Sequence, residues 1–375
     1  MGATFCGALG DMTEAESTGE AAAGTFESAR GAQLLCEVPT HRVAAAMGRC
    51  IDLVDGRSGE RRASLEGHAG PVTCLLMEGG VLFSGSVDRT VRRWDPKRGG
   101  SLLGTMEGHG GVVWCLAAAD GAVFSAGADA TIRRWDAKTG ALLGILQEHE
   151  GPVSCMLARG GVLYSGSEDA TVKKWDLKRC ELDQTFKGHL DGVTCLVIAE
   201  GCIFSGAKDA MIRRWDLQSG AVVAALDGHE RQDWILCLHA AAGYLFSGCR
   251  DGTICQWDME RNVVMRMFPR ADQHEAGVTC FLSRADLLLS GSADGTVRLW
   301  DKSSGELINV LEGTTGVTCL LPTSWGTTFG GQARGCPQRL PPLARRAARP
   351  PTPNPRNSDE SDEKSAPPES VIQFL

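Results

Sequence analysis

"SGSEDATVKKWD" (Ser165–Asp176) is flanked in the chain by two near-copies, "SGSVDRTVRRWD" (Ser84–Asp95) and "SGAKDAMIRRWD" (Ser205–Asp216). A catalytic centre needs one set of its residues. The same twelve residues written again and again are an architectural unit, and function must be sought in what differs between the copies.

Six histidines set the period. His68, His109, His149, His189, His229 and His274 are separated by 41, 40, 40, 40 and 45 residues. After each comes an apolar run, a Gly-containing turn, "LFSG"-like residues, an Asp and finally Trp-Asp. The pairs Asp88/Trp94, Asp129/Trp135, Asp169/Trp175, Asp209/Trp215, Asp251/Trp257 and Asp294/Trp300 are all six residues apart. His precedes Asp by 20 residues in five copies and by 22 in the fifth, where "ERQDW" adds two. In the second copy "VVWCLAA", "AVFSAG", "TIRRWD" and "ALLGIL" alternate with Gly/Asp turns, which predicts four short strands.

A period near 40 with Gly-His at one end and Trp-Asp at the other resembles the WD40 repeat family, over residues 31–330. The resemblance implies an all-β, seven-bladed β-propeller: six well-formed repeats and one degenerate or composite closing blade, each blade a four-stranded antiparallel sheet. It also implies that four residues of each copy form one hydrogen-bonded chain. The sets are His68, Ser84, Asp88 and Trp94; His109, Ser125, Asp129 and Trp135; His149, Ser165, Asp169 and Trp175; His189, Ser205, Asp209 and Trp215; His229, Ser247, Asp251 and Trp257; and His274, Ser290, Asp294 and Trp300. An indole that only donates, a hydroxyl and an imidazole that do both, and a carboxylate that only accepts close this inventory without remainder. A Ser-His-Asp catalytic triad is the competing reading, and six identical copies argue against it.

The ends are weaker copies. In "CIDLVDGRSGERRASLEGH", Val54 stands where the repeat has Trp, and "AQLLCEVP" and "HRVAAAMG" can serve as the two preceding strands. At the other end "GVTCLL" restarts the pattern at Gly316, and "TTFGG" resembles a second strand. Two closures follow. Residues 31–66 form a complete seventh blade, or strands near Val317–Leu321 and Thr327–Gly330 pair with strands near Cys50–Asp55 and Arg61–Leu65. Either way closure removes exposed sheet edges. Residues 1–30, rich in Ala, Gly and Glu, and 331–375, rich in Pro, Arg and Ser, read as disordered flanks of a propeller at 31–330.

The composition narrows the function. Net charge is −8, which disfavours nucleic acid and anionic membrane as partners. No apolar run approaches the roughly 20 residues that span a bilayer, and no basic-then-apolar leader opens the chain. "MGATFC" has Cys6 where a myristoylation motif wants Ser or Thr. Of 15 cysteines, Cys74, Cys115, Cys155, Cys195, Cys237, Cys280 and Cys319 occupy one repeat position inside apolar runs. Equivalent sites in successive blades lie beyond the disulfide reach of about 7 Å, so these read as buried thiols of a reducing cytosol. No CxxC or Cys/His cluster offers a zinc site, and no phosphate-binding loop or HExxH is present. No metal, cofactor or catalytic group is expected; His41 and His239 are the histidines left outside the sets.

The expected function is that of a non-catalytic interaction scaffold or adaptor, cytoplasmic or nuclear, a monomeric propeller inside a larger complex. In WD40 propellers the loops entering the innermost strand and the turns between the second and third strands share one face around the channel. The positions that vary there are three and one residues before the strand-one Cys and the residue before the turn Asp. They supply Trp114, Glu168, Lys208, Trp234 and Arg250, with Arg231 in the insertion. Aromatic and Arg residues are frequent interface hot spots. The "RRW" and "KKW" doublets read as solvated charge, since one residue of each alternating pair faces outward. Two alternatives remain. A ubiquitin-ligase substrate receptor would carry an F-box or a Trp-Asp-x-Arg motif; the first 30 residues are short for the former, and the copies lack the latter. A ribonucleoprotein subunit would need a basic, aromatic-lined groove.

Overall fold

In the computed structural model, Ser165–Asp176 covers most of two paired strands and the turn between them. Val162–Ser167 runs antiparallel to Thr171–Asp176, with Leu163 opposite Trp175 and Ser165 opposite Lys173. Val153–Arg159 and Glu181–Lys187 complete a four-stranded sheet in chain order. The structure describes residues 35–340 apart from 39–41, 56–57, 59, 98, 230–232, 313–315, 323–327 and 333–337.

Seven such sheets follow one another: blade I (35–65), II (72–106), III (113–146), IV (153–187), V (193–226), VI (235–267) and VII (278–312). Together they make a seven-bladed β-propeller of strands, with one 3-10 turn among the described residues, at Arg270–Asp272. The first strands of neighbouring blades pack on each other. In the first two strands of a blade the side chains are therefore buried on both faces, as in Val193–Ala199 and Cys202–Ala207. The fourth strands lie outside, and Leu102, Leu143 and Val223 are among their exposed apolar residues.

Blade-to-blade packing explains the repeated "SG" and the repeated Cys. A Cβ on Gly206 would come within 2.6 Å of Ile235 Cγ2 in the next blade and 2.7 Å of Cys195 Sγ in its own. Gly166 meets Val193 and Cys155 at 2.6 and 2.7 Å in the same way. The strand-one thiol is thus a wedge between two sheets. Six of these thiols are buried and Cys319 is half-buried. Burial pushes Cys74 and Cys195 up to about 12.

The residue before each wedge Cys sits on a bulge, where the register shifts between Val153 and Cys155 or Val193 and Cys195. A bulge frees one residue from the ladder and re-aims its side chain. Ser154 Oγ uses that freedom to donate to Val193 O of the next blade at 2.5 Å, and Thr279 Oγ1 to Val317 O at 2.6 Å. Thr73 does the same to Val113 O.

The arginine doublets correct the expectation of solvated charge. Arg93 is 7% exposed and Lys173 8%, and both Arg133 and Arg134 keep Nε buried without a hydrogen-bond partner. Arg92, Arg133, Arg134, Lys174, Arg213 and Arg214 are half-buried, so these doublets are packed on the protein rather than free in solvent. Arg214 reaches across to blade VI, where Nη1 donates to Met259 O and, at 3.0 Å, to Asn262 Oδ1.

Of the two closures, residues 35–65 form their own blade: Cys50–Asp55 pairs with Arg42–Met47 and Arg61–Leu65. The composite pairing is therefore not the one adopted. Val317–Pro322, Thr328–Gln332 and Gln338–Arg339 make a separate three-stranded sheet between blades VII and I. Its strands pass the expected boundary at residue 330, because pairing such as Phe329 with Arg339 uses backbone groups and makes little demand on composition. The expected disordered segments at 1–30 and beyond residue 340 lie outside the described residues.

Because Gly206 has no room for a methyl group, Gly206→Ala is expected to destabilise the propeller by about 1–3 kcal/mol. Chemical denaturation of the purified variant measures this, and an unchanged midpoint would disprove the wedge.

Candidate functional site

Two layers make up the face carrying the turns, a repeated framework and a set of variable residues mounted on it. In all six framework sets the Trp Nε1–H donates to the Ser Oγ, at 2.7–2.8 Å. The Ser Oγ stands 2.7–2.8 Å from His Nε2. An indole only donates, so the hydroxyl proton goes to Nε2 and the imidazole proton sits on Nδ1. That Nδ1–H faces the Asp carboxylate at 2.7 Å in His68–Asp88 and His149–Asp169, 2.8 Å in His109–Asp129, and 2.9 Å in His189–Asp209 and His274–Asp294. Ser84, Ser125, Ser165, Ser205, Ser247 and Ser290 are each fully buried. A hydroxyl that is sealed, accepting from Trp and donating to His, has no geometry for attack on a substrate.

The fifth set departs from the expectation. His229 Nδ1 lies 3.0 Å from Thr253 Oγ1, and that hydroxyl donates to Asp251 Oδ1 at 2.7 Å. In the other five copies the residue after His donates its amide to the turn Asp, as Ala69 does to Asp88 at 2.9 Å; in the fifth that residue belongs to the insertion and lies outside the described ones. The fourth set shows the converse. Met211 replaces the turn Thr, and His189 Nδ1 reaches both oxygens of Asp209, at 3.1 and 2.9 Å.

Burial favours the neutral imidazole in four of the sets: it lowers His68, His149 and His274 against the pull of their carboxylates, and takes His229 to about 4. Burial alone would raise the Asp88 carboxyl. Hydrogen bonds from Thr90 and His68 outweigh it and bring Asp88 to about 2.

On this framework each turn is pinned to the loop beside it. The residue before the turn Asp donates its amide to the carbonyl three residues before the wedge Cys: Glu168 to Pro152, Lys208 to Gly192 and Arg250 to Trp234, all at 2.9 Å. Two of the variable positions are thereby neighbours in every repeat. Glu168 Oε2 of blade IV forms an ion pair with Lys208 Nζ of blade V. Lys208 Nζ stands 4.7 Å from the centroid of the Trp234 ring, and the Arg250 guanidinium stands at the same 4.7 Å. Four of the expected partner residues are thus one connected group, Glu168–Lys208–Trp234–Arg250, across blades IV to VI. Glu168, Lys208 and Trp234 are half-buried, and Arg250 is exposed.

Trp114 stands apart in kind. It occupies the bulge of blade III, where the register shifts between Ala126 and Gly127 and where blades II, IV and V carry a clamping hydroxyl. It is half-buried there. Arg231 lies outside the described residues. Two groups escaped the sequence reading. Asp233 accepts the Trp234 amide at 2.8 Å. Leu190 is 88% exposed on the loop leading into blade V; its signal was present, since other copies have Ala69, Gly110, Glu150 and Glu275 there. His239 is buried on the first strand of blade VI, with Nε2 2.9 Å from Ser283 Oγ.

Sheets of this order carrying these repeated sets define a WD-repeat propeller. The family model described as "WD domain, G-beta repeat" matches residues 59–95, 100–136, 140–176, 180–216, 220–258 and 268–301, and the chain belongs to the WD40 family. The computationally designed Ika8 protein, known from a crystal structure, superposes with a TM-score of 0.73 at 26% identity, over 90% of this chain and 99% of that one. Two Arabidopsis thaliana proteins share a short stretch. Zinc finger CCCH domain-containing protein 62 is 59% identical over 32 residues, 8% of each chain. Zinc finger CCCH domain-containing protein 59 is 61% identical over 33 residues, 8% of this chain and 7% of that one. The chain spans less than a tenth of the length of these curated relatives.

Two outcomes follow from the framework. Asp169→Ala should lower stability by about 1–3 kcal/mol, the cost of stranding a buried polar partner; a melting temperature equal to that of the wild type would refute the role. The second concerns pH. Four native imidazoles, His68, His149, His229 and His274, stay below the ordinary 6.5, reaching about 4 at His229, so the unfolded chain binds more protons in that window. This stability is fully present above pH 6.5 and is lost as pH falls toward 4. Asp88, ordinarily 3.8 and here about 2, adds a second loss of the same sign between those values. Melting temperature measured from pH 7.5 to 4 should fall monotonically.

Proposed function

We propose that the protein is a non-catalytic interaction scaffold or adaptor that holds a protein or peptide partner on the rim of blades IV to VI. WD40 propellers are, as a class, protein-interaction scaffolds. One observation carries the reading here. Four residues that depart from their repeat equivalents join as Glu168–Lys208–Trp234–Arg250 on a framework that is otherwise repeated. An aromatic anchor with mixed charges suits a protein surface better than a phosphate backbone. The protein acts as a monomeric propeller within a larger assembly. Its wedge thiols must be reduced to pack between blades, which suits the cytoplasm or nucleus.

The test is a quantitative pull-down with the full chain as bait. Replacing Trp234 by Ala together with Arg250 by Glu should weaken partner capture by about 2 kcal/mol or more. The melting curve should stay nearly intact, because neither residue belongs to a framework set. Undiminished capture would move the binding surface elsewhere. A collapsed melting curve would make Trp234 a packing residue instead.

A further inference from the structure

Charge is unevenly satisfied on this rim. Lys208 spends its charge on Glu168. Arg250 has no carboxylate partner among the described residues, and its side chain is exposed. It is nonetheless held: its amide is bonded to Trp234 O at 2.9 Å and its guanidinium lies 4.7 Å from the Trp234 ring centroid. A guanidinium over an aromatic ring keeps its in-plane N–H groups free to take a carboxylate through two parallel hydrogen bonds. Holding it in place beforehand reduces the ordering cost of binding.

An exposed apolar residue stands on the neighbouring blade V. Leu190 is 88% exposed on a loop fixed to the framework, its amide donating to Asp209 Oδ2 at 2.9 Å. Asp209 directly follows Lys208, and Lys208 approaches the Trp234 ring. The same turn therefore links the exposed leucine to the aromatic group that carries Arg250.

We infer that the partner is a linear protein segment that gives an acidic side chain to Arg250 and lays an apolar side chain on Leu190; this rests on the rim reading above. Basic ligands are disfavoured because two cations already approach Trp234. A nucleic acid is disfavoured because Glu168, Asp191 and Asp233 share the rim, and a run of phosphates would meet these carboxylates along with Arg250.

Degenerate peptide libraries with a fixed central Glu, Gln or Lys, passed over the immobilised full chain, test this. The Glu-fixed library should be retained about tenfold more than the Lys-fixed one, the worth of one charge-assisted pair. Arg250→Glu should erase or invert that ratio. Leu190→Asp should remove enrichment of apolar residues flanking the Glu while leaving the Glu preference. Melting curves equal to wild type show that both variants are folded. Equal retention of the three libraries, or a Glu preference that survives Arg250→Glu, overturns the inference. Trp234→Ala separates it from the rim reading. If wild type retains Lys- or Gln-fixed peptides best and Trp234→Ala loses them, the rim binds peptides but the acidic ligand is wrong. If no retention depends on Trp234, both readings fall.

Discussion

The indole N–H of the strand-three tryptophan is the constraint from which the rest of each repeat follows. Packed between blades, it cannot reach water, and an unmet donor there costs about 1–3 kcal/mol. It is met by a serine on the neighbouring strand, the serine by a histidine, and the histidine in most copies by the turn aspartate. The chain of four therefore joins two strands, the loop entering the blade and the turn leaving the second strand. The aspartate also accepts the amide after the histidine, as from Leu190 at 2.9 Å, so the loop is tied twice. Interior polarity and rim geometry are one structure here.

Blade I shows how a blade stands without this device. Ala44 and Val54 occupy the positions of the serine and tryptophan, and both are buried. Removing donor and acceptor together leaves nothing stranded, which is far cheaper than removing either alone. Blade VI is the intermediate case. Thr253 stands between His229 and Asp251. Trp234 follows the two-residue insertion in the sequence of the same copy. The copy in which a threonine stands between histidine and aspartate also supplies the aromatic residue of the connected rim group.

The rim group uses interactions of a different kind from the framework. An ion pair at the surface and cations over a ring contribute modestly to stability, because water competes for every charge involved. Their value is positional. Lys208 and Arg250 are long, flexible side chains, and each is held against the Trp234 ring. The face thereby presents charge at defined places while the six hydrogen-bonded sets below carry the load of folding.

Spacing carried the resemblance on which the propeller rested. A period near 40, Asp six residues before Trp and Ser four before Asp marked the strands and turns, and the family resemblance they support implied the buried polar sets, in which each repeat satisfies the same donors in the same geometry. The positions of variation were also legible, and four of the six residues singled out there meet in space. Tertiary structure decided the rest. Arg93 and Lys173 each belong to a charged doublet on a third strand, where one residue of the pair was expected to be solvated, yet both are buried. Whether residues 317–339 completed blade I or stood as their own sheet depended on backbone pairing, which leaves little mark on composition. That Trp234 gathers two cations, while Trp114 sits on a bulge, depended on which residue the register shift released from the ladder. Local chemistry repeats along the chain and can be read there; the contacts between one copy and the next are made only when the ring closes.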